Sequence, residues 1–366
     1  MFLAGCDQKP ASATRNYDRN YAQFKSPPPL DRLRARLNEG VIEMPQANRI
    51  VALAFLVLAA PALGADKIRL AVLRTGSVAW ELDIIRARGL DKAAGLDIET
   101  TELASPEAGK IALRGGAADI IVSDWLWVSR ERSLGADLVF YPYSSAIGAV
   151  MVPGHSAIAT LGDLKGKKLA VAGGAIDKSW LMLQALARKS GFDIKNESLP
   201  MFGAPPLLAQ KTIEGEAEAS LNFWNFCADL EAKGFKTVLG MDEVERALGT
   251  KGSVAMLGYV FSADYAAKNA EPVARFLKIA REAKELLAKS DEDWQKLGPR
   301  IGAKDAAAQA IYRRRYAEGI PRRAIAEEEA DAQILYRVLA ETGGSELVGA
   351  ARALDPGTFY KAIPGS

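Results

Sequence analysis

The chain has one histidine and two cysteines in 366 residues. His155 lies in a Pro-Gly loop (VPGHSA). One histidine cannot supply a multi-histidine metal site, and no His-based triad is expected; the residue reads as an exposed loop position. The cysteines are Cys6 and Cys227. Beyond residue 64 only Cys227 remains, so no intramolecular disulfide can form there, and the thiol reads as a small buried hydrophobe. An excess of either charge is also missing. Lys and Arg total 47 against 45 Asp and Glu, and the first 64 residues hold eight and five of them, leaving 39 against 40. Nucleic acid, which needs a concentrated basic field, is not an expected partner. The enzyme motifs are missing as well. GDLKGKK lacks the phosphate-loop spacing and carries Lys168 where a magnesium-binding hydroxyl belongs, and AVAGG is not a dinucleotide fingerprint. There is no G-x-S-x-G, H-E-x-x-H or C-x-x-C. No catalytic residue, cofactor or metal site is expected; two scattered carboxylates, Asp124 and Asp177, fall short of the ~6–8 oxygens of a calcium site.

Long apolar runs are nearly absent. The exception is Ile50–Leu63, broken only by Pro61. As a helix it would span about 21 Å at ~1.5 Å per residue, short of the ~30 Å hydrocarbon core. Arg49 ahead of it, the apolar Ile50–Ala60 and the small residues of Ala62–Gly64 make a secretory signal beginning at Met44. The mature chain would start near Ala65, in the periplasm. Residues 1–43 then form an extension. Leu3–Cys6 has the look of a lipid-attachment box, but only Met1 and Phe2 precede it, so no apolar segment carries it to a membrane. Either translation begins further upstream or these residues are not made in the cell. The rest of the extension is basic and Pro-rich, and is expected to be disordered or a lone short helix.

What is present after residue 65 is an alternation of strands and helices. Strand character marks 67–73, 96–103, 118–124 and 137–144, and helical spacing marks Trp80–Leu90 and Trp125–Leu134. A helix from Ser105-Pro106 to Arg114 has its cap and first-position proline written in. This order predicts a parallel α/β sheet. A second unit follows: a turn and strand over 161–174, strands at 218–224 and around 237–240, and helices at Asp177–Gly191 and Leu207–Glu214. Strand 253–262 can return to the first unit, and an almost wholly helical region closes the chain. The expectation is two lobes of 66–151 with 259–366, and 152–258. The basic YRRRY (312–316) and the acidic Glu327–Glu329 read as solvated helix faces.

In open α/β sheets ligands bind beyond the carboxyl ends of the strands. In the first unit those positions are Arg74, Thr75, Trp80, Ser123, Asp124, Trp125, Tyr143 and Ser144. In the second they are Gly174, Asp177, Lys178, Ser179, Trp180, Phe202, Asn222 and Trp224, with Tyr259 on the returning strand. Four of the six tryptophans fall in this set. Aromatic walls with a few convergent polar groups describe a small-molecule site.

Four stretches carry a resemblance. LGDLKGKKLAV, GGAADIIVSDW, MLGYVFSADYAAKNAEPVARFLKIAREA and LDPGTFYKA are similar to elements of the substrate-binding proteins of ABC transporters, in the nitrate/sulfonate/taurine and thiamine-precursor group. The resemblance spans 67–361. It implies a type II periplasmic-binding-protein fold, a cleft that closes on a small ligand, and delivery to an inner-membrane permease by a monomer. Members that take sulfonate or nitrate set a helix N-terminus against the anion. Here that helix carries Asp177 in its first turn, which disfavours a simple oxyanion and favours a larger organic ligand with Arg74 or Lys178 on its polar handle. The thiamine-precursor branch also includes enzymes that use a Cys-rich, His-containing segment. One mature cysteine, with His155 remote from it, favours a binder, with an enzyme of the same fold acting on a heteroaromatic or precursor molecule as the alternative. Intact-mass analysis of protein from its native host checks the export reading: the expected chain begins near Ala65, and a mature form still carrying Tyr17–Lys25 would refute it.

Overall fold

A computed structural model describes residues 64–74, 76–303 and 305–361. The extension and nearly all of the signal stretch lie outside these, as does Thr75. The first lobe runs β1 (Asp66–Leu73), α1 (Val78–Ala87), α2 (Leu90–Ala93), β2 (Leu96–Leu103), α3 (Pro106–Arg114), β3 (Ile120–Asp124), α4 (Trp125–Ser133) and β4 (Leu138–Ser144). The second runs β5 (Gly148–Pro153), β6 (Lys168–Ala172), α5 (Lys178–Lys189), α6 (Ile194–Glu197), β7 (Leu199–Gly203), α7 (Pro205–Ile213), β8 (Ala219–Phe223), α8 (Trp224–Ala232), β9 (Phe235–Gly240) and α9 (Met241–Leu248). Then come β10 (Leu257–Ser262), α10 (Ala263–Lys268), α11 (Ala270–Lys289), α12 (Asp291–Ile301), α13 (Ala306–Glu318) and α14 (Ile325–Val348).

The strands form two five-stranded sheets, ordered β2-β1-β3-β10-β4 and β7-β6-β8-β5-β9. β1 is parallel to β2 and β3, and β6 to β7 and β8. Each sheet has one antiparallel member, and in each it is the strand that has just crossed from the other lobe: β5 between β8 and β9, β10 between β3 and β4. The two lobes therefore repeat one strand order with no repeat in sequence. The first crossing lies between Ser144 and Gly148, earlier than the 151/152 boundary read from the sequence, because GAVMVP pairs with the second sheet.

The local reasons are legible. Ser105 caps α3, its side chain accepting from the Ala108 N–H, and Pro106 occupies the first helical position. β3 reads as a continuous apolar run because both faces are covered: Ile120 packs with α1 and α11, Ile121 with α4. One apolar cluster contains Ile121 and Phe140 of the first sheet, Val150 and Val171 of the second, and Leu335, Tyr336 and Leu339 of α14. α14 packs on α4 of the first lobe and on α5 and α9 of the second, while α13 packs on α8 and α11. The assignment of all of 259–366 to the first lobe does not describe these contacts; the last helices straddle both. At the C-terminus Phe359 pairs with Phe140, whose N–H donates to Thr358 O at 2.8 Å and whose carbonyl accepts the Tyr360 N–H at 2.8 Å, covering the free edge of β4.

Three chain segments run between the lobes side by side. The Ser145 N–H donates to Gly319 O at 2.9 Å. A Cβ at Gly319 would come 2.2 Å from that of Ala146, so only glycine allows this approach. The returning segment ahead of β10 is held by buried carboxyls. Asp331 accepts the Lys251 and Gly252 N–H groups at 3.0 and 3.1 Å, Glu245 that of Val254 at 3.1 Å, and Glu328 that of Ala255 at 2.8 Å. Glu328 is thus 1% exposed and not part of a solvated face. Burial pushes its carboxyl up to about 7, with Asp331 and Glu327 adding and Arg323 opposing; burial and the Glu328 charge push Glu245 up as well. A proton held more tightly folded than unfolded contributes stability that is full below the ordinary carboxylate range and lost as pH rises through about 7. Urea unfolding should show this: wild type loses roughly 3 kcal/mol from this group across that window at ~1.36 kcal/mol per unit, and Glu328→Gln flattens the profile. Parallel profiles would show that Glu328 is not the titrating group.

Candidate functional site

The carboxyl ends of β1 and β3 face those of β6 and β8, at the points in each sheet where the strand order reverses. β3 ends on Asp124, which caps α4: Oδ1 accepts the Trp127 N–H at 2.8 Å. Its other oxygen, Oδ2, takes Lys178 Nζ at 3.0 Å, across the lobes. Lys178 is held there because it opens α5. Asp177 caps that helix, accepting the Ser179 and Trp180 N–H groups at 2.9 and 3.4 Å. The tight turn before it needs glycine: Gly173 has φ +88°, and a Cβ would lie 2.6 Å from Asp177 Oδ2. Burial opposes ionisation of both partners, but each ion outweighs it for the other: Lys178 and the Trp127 N–H hold Asp124 below the usual carboxylate range, and Asp124 holds Lys178 above the usual amine range. Asp177 goes the other way, pushed up by burial that Lys178 and the backbone N–H groups offset only in part.

The lobes also meet through aromatic rings. Trp80 of α1 stands edge-on to Trp224 of α8, centroids 5.6 Å apart. Trp294 of α12 and Tyr312 and Tyr316 of α13 complete the cluster, 6.1, 6.4 and 6.4 Å from Trp80. Behind it is a buried ionic knot. Glu81 receives Lys284 Nζ and the Tyr316 hydroxyl, both at 2.5 Å, and the Tyr259 hydroxyl at 3.3 Å. Lys284 Nζ also sits 3.5 Å from the centre of the Tyr143 ring, whose hydroxyl meets Ser77 Oγ at 2.9 Å. Burial lowers the Lys284 pKa against the pull of Glu81 and raises those of Tyr143, Tyr259 and Tyr316. The phenols thus stay donors and the carboxylate has partners on both oxygens.

The structure pairs Asp124 with Lys178, whose helix Asp177 caps, and Trp80 with Trp224, and it gathers Tyr143 and Tyr259 around the Glu81–Lys284 knot. Other expected residues lie elsewhere. Trp125 and Trp180 are 0% exposed and belong to the core that runs through both lobes, so they are not cleft walls. Ser123, Ser179 and Asn222 are buried, and Asn222 turns inward, donating to Pro205 O at 3.1 Å and accepting from the Phe223 N–H at 2.9 Å. Ser144 accepts from the Ala146 N–H at the crossing. Arg74 is exposed, 3.6 Å from Glu102. Gly174 lies in the turn before α5, and Phe202 is exposed on the second lobe's rim with its ring against Trp180. Cys227 is buried, and its thiol is pushed up to about 11 by that burial.

Glu81, Lys284, Trp294, Tyr312 and Tyr316 were not legible as site residues. For two of them a signal existed: Tyr312 and Tyr316 are four apart and share a helix face. YRRRY is not a solvated face. Its tyrosines point into the cluster, and Arg314 and Arg315 pair with Glu231 of α8, Arg315 at 2.7 Å.

A family model described as NMT1/THI5 like matches residues 86–293, more than half of the chain. The chain belongs to the NMT1/THI5-like family. No curated protein matches this family member in sequence. Its fold is shared by solved structures. The periplasmic aliphatic sulphonate binding protein SsuA from Escherichia coli aligns over 81% of this chain and 92% of its own, with 18% identity and a TM-score of 0.65. The alkanesulfonate-binding protein SsuA from Xanthomonas axonopodis pv. citri, bound to MOPS, aligns over 81% and 99%, with 19% identity and a TM-score of 0.58. An ABC transporter protein from Parabacteroides distasonis aligns over 81% and 99%, at 14% identity and a TM-score of 0.62. The NMT1/THI5-like chain thus has the two-lobed architecture of periplasmic binding proteins, as the resemblance implies.

The cross-lobe pair is open to a double-mutant test. Asp124→Asn keeps the α4 cap and removes the charge, Lys178→Met removes the partner, and each should cost roughly 1.5–3 kcal/mol. The double variant should lose clearly less than the two costs together. Strictly additive costs in urea unfolding would show that the pair contributes nothing.

Proposed function

We propose that this chain is the exported, non-catalytic solute-binding component of an ABC importer. It captures a small organic molecule between its lobes and presents the closed form to an inner-membrane permease, acting as a monomer in the periplasm. The observation that carries the reading is the pair of direct contacts across the lobes, Asp124 with Lys178 and Trp80 with Trp224. Asp124 ends β3, and Lys178 and Trp224 open the helices that follow β6 and β8, where such folds take ligands. Among the described residues no helix is long and apolar enough to cross a membrane, and two of the neighbours are named as sulfonate binders.

The site chemistry narrows the ligand. Lys178 is the cation that faces the cleft from the second lobe, and it is flanked by Asp124 and Asp177. A bare oxyanion would compete with both carboxylates for one ammonium. An organic molecule adds contact with Trp80 and Trp224 to its acidic handle, and that added burial offsets the displacement of Asp124 from Lys178. Sulfonates with an apolar body, the class suggested by the neighbours' names, meet this requirement, and so do heteroaromatic acids.

A thermal-shift screen tests this. Sulfonates with an apolar body or heteroaromatic acids should raise the melting temperature, and Trp224→Ala should abolish the effect. Stabilisation by sulfate, nitrate or taurine alone would overturn the ligand class. A compound recovered chemically altered after incubation would overturn the non-catalytic reading.

A further inference from the structure

A cavity of about 640 Å³ opens on the first lobe, on the α11 side of its sheet. Its walls come from β4, β10, α11 and residues 321–325, and no residue of the second sheet or its helices lines it. It is therefore not the cleft itself, although it adjoins the last of the three crossings and shares Tyr259 and Lys284 with the ionic knot behind the cleft's aromatic cluster. Its size is within the ~300–1,000 Å³ of small-molecule sites.

The charged lining is one-sided. Arg281, Lys284, Arg322 and Arg323 face a single acid, Glu285. Three of these cations are neutralised: Lys284 by Glu81 at 2.5 Å, Arg322 by Glu285 at 2.5 Å, and Arg323 by Asp331 at 2.7 Å. Arg281 is different. Its guanidinium donates to the Tyr141 hydroxyl at 2.8 Å and has no carboxylate within ion-pair distance among the described residues. Ala324 and Ile325, the cap and first residue of α14, line the same cavity, so the N-terminus of a helix that runs regularly as far as Gly343, before the kink at Gly344, opens there. The remaining walls are apolar or aromatic: Pro142, Tyr259, Leu277, Ala280 and Pro321.

We infer that this cavity is a second binding site, for a small organic acid with an apolar body. Its carboxylate or phosphonate group takes the free donors of Arg281 with help from the α14 N-terminus, and the body lies along Pro142, Leu277 and Pro321. A guanidinium without a carboxylate partner presents a planar fork that matches such oxoacids. The apolar walls favour an organic acid over inorganic phosphate, which would leave them in contact with water.

The test uses the full chain and two probes, benzoate and inorganic phosphate, by isothermal titration. Benzoate should bind, more tightly than phosphate. Arg281→Gln should weaken it at least about tenfold, the loss expected for one charge-assisted hydrogen bond, and Arg281→Glu should abolish it. Trp224→Ala, which alters the cleft, should leave it unchanged. Arg281 is exposed, so both variants should fold; unaltered far-ultraviolet dichroism checks this. The inference is overturned by no benzoate binding, by phosphate binding as well as benzoate, or by benzoate binding that follows Trp224 rather than Arg281. Failure of the cleft reading would leave these results untouched, since that reading depends on Trp224 and Lys178.

Discussion

Each sheet is completed by a strand that has just crossed from the other lobe. β5 enters the second sheet directly after the first lobe's β4, and β10 enters the first directly after the second lobe's α9. Neither inserted strand is at an edge; each separates two others that are not otherwise paired. Neither sheet closes its hydrogen bonding without the crossings, so the lobes are mechanically linked through their interiors. The crossings are then the places where relative motion must be absorbed. They are also where the backbone is most tightly specified, by a glycine contact at Gly319 and by buried carboxyls on the segment before β10.

This linkage explains the placement of charge. Buried ions are costly, and the fold concentrates them where two elements must keep one relative position. Glu81 and Lys284 tie α1 to α11, and the phenols of Tyr259 and Tyr316 bring in β10 and α13. An apolar replacement would pack these elements with more freedom to slide. The aromatic cluster rests on this knot, so Trp80 is positioned from behind before anything approaches from the front.

Much of the architecture was legible in the sequence because its signals are local. β2 and α3 have the bounds that their turns and caps announce. β3 shows its double burial in its composition, and the return of the chain to the first lobe is visible in LGYVFS. Asp124, Lys178, Trp80 and Trp224, which the structure pairs across the lobes, were singled out because strand ends are legible and the ligand rule points to them. What was not legible depends on partners far along the chain. Glu81 and Lys284 look like ordinary charges on amphipathic helices, and 203 residues separate them. Trp125 and Trp180 occupy the same strand-end positions as Asp124 and Lys178, but helical phase turns them into the core, and only packing decides that. Tyr312 and Tyr316 were hidden by the three arginines between them, which suggested a surface where the helix in fact bridges two lobes.

The strand-like stretch at Phe359 has a consequence in time rather than in space. It covers the outer edge of β4, an element made more than 200 residues earlier. While the polypeptide is being delivered, that edge stays open, with the N–H and C=O of Phe140 unsatisfied. The first lobe is thus begun first and finished last. A chain truncated before Thr358 would contain every other strand and still expose a ready template for pairing with a neighbour.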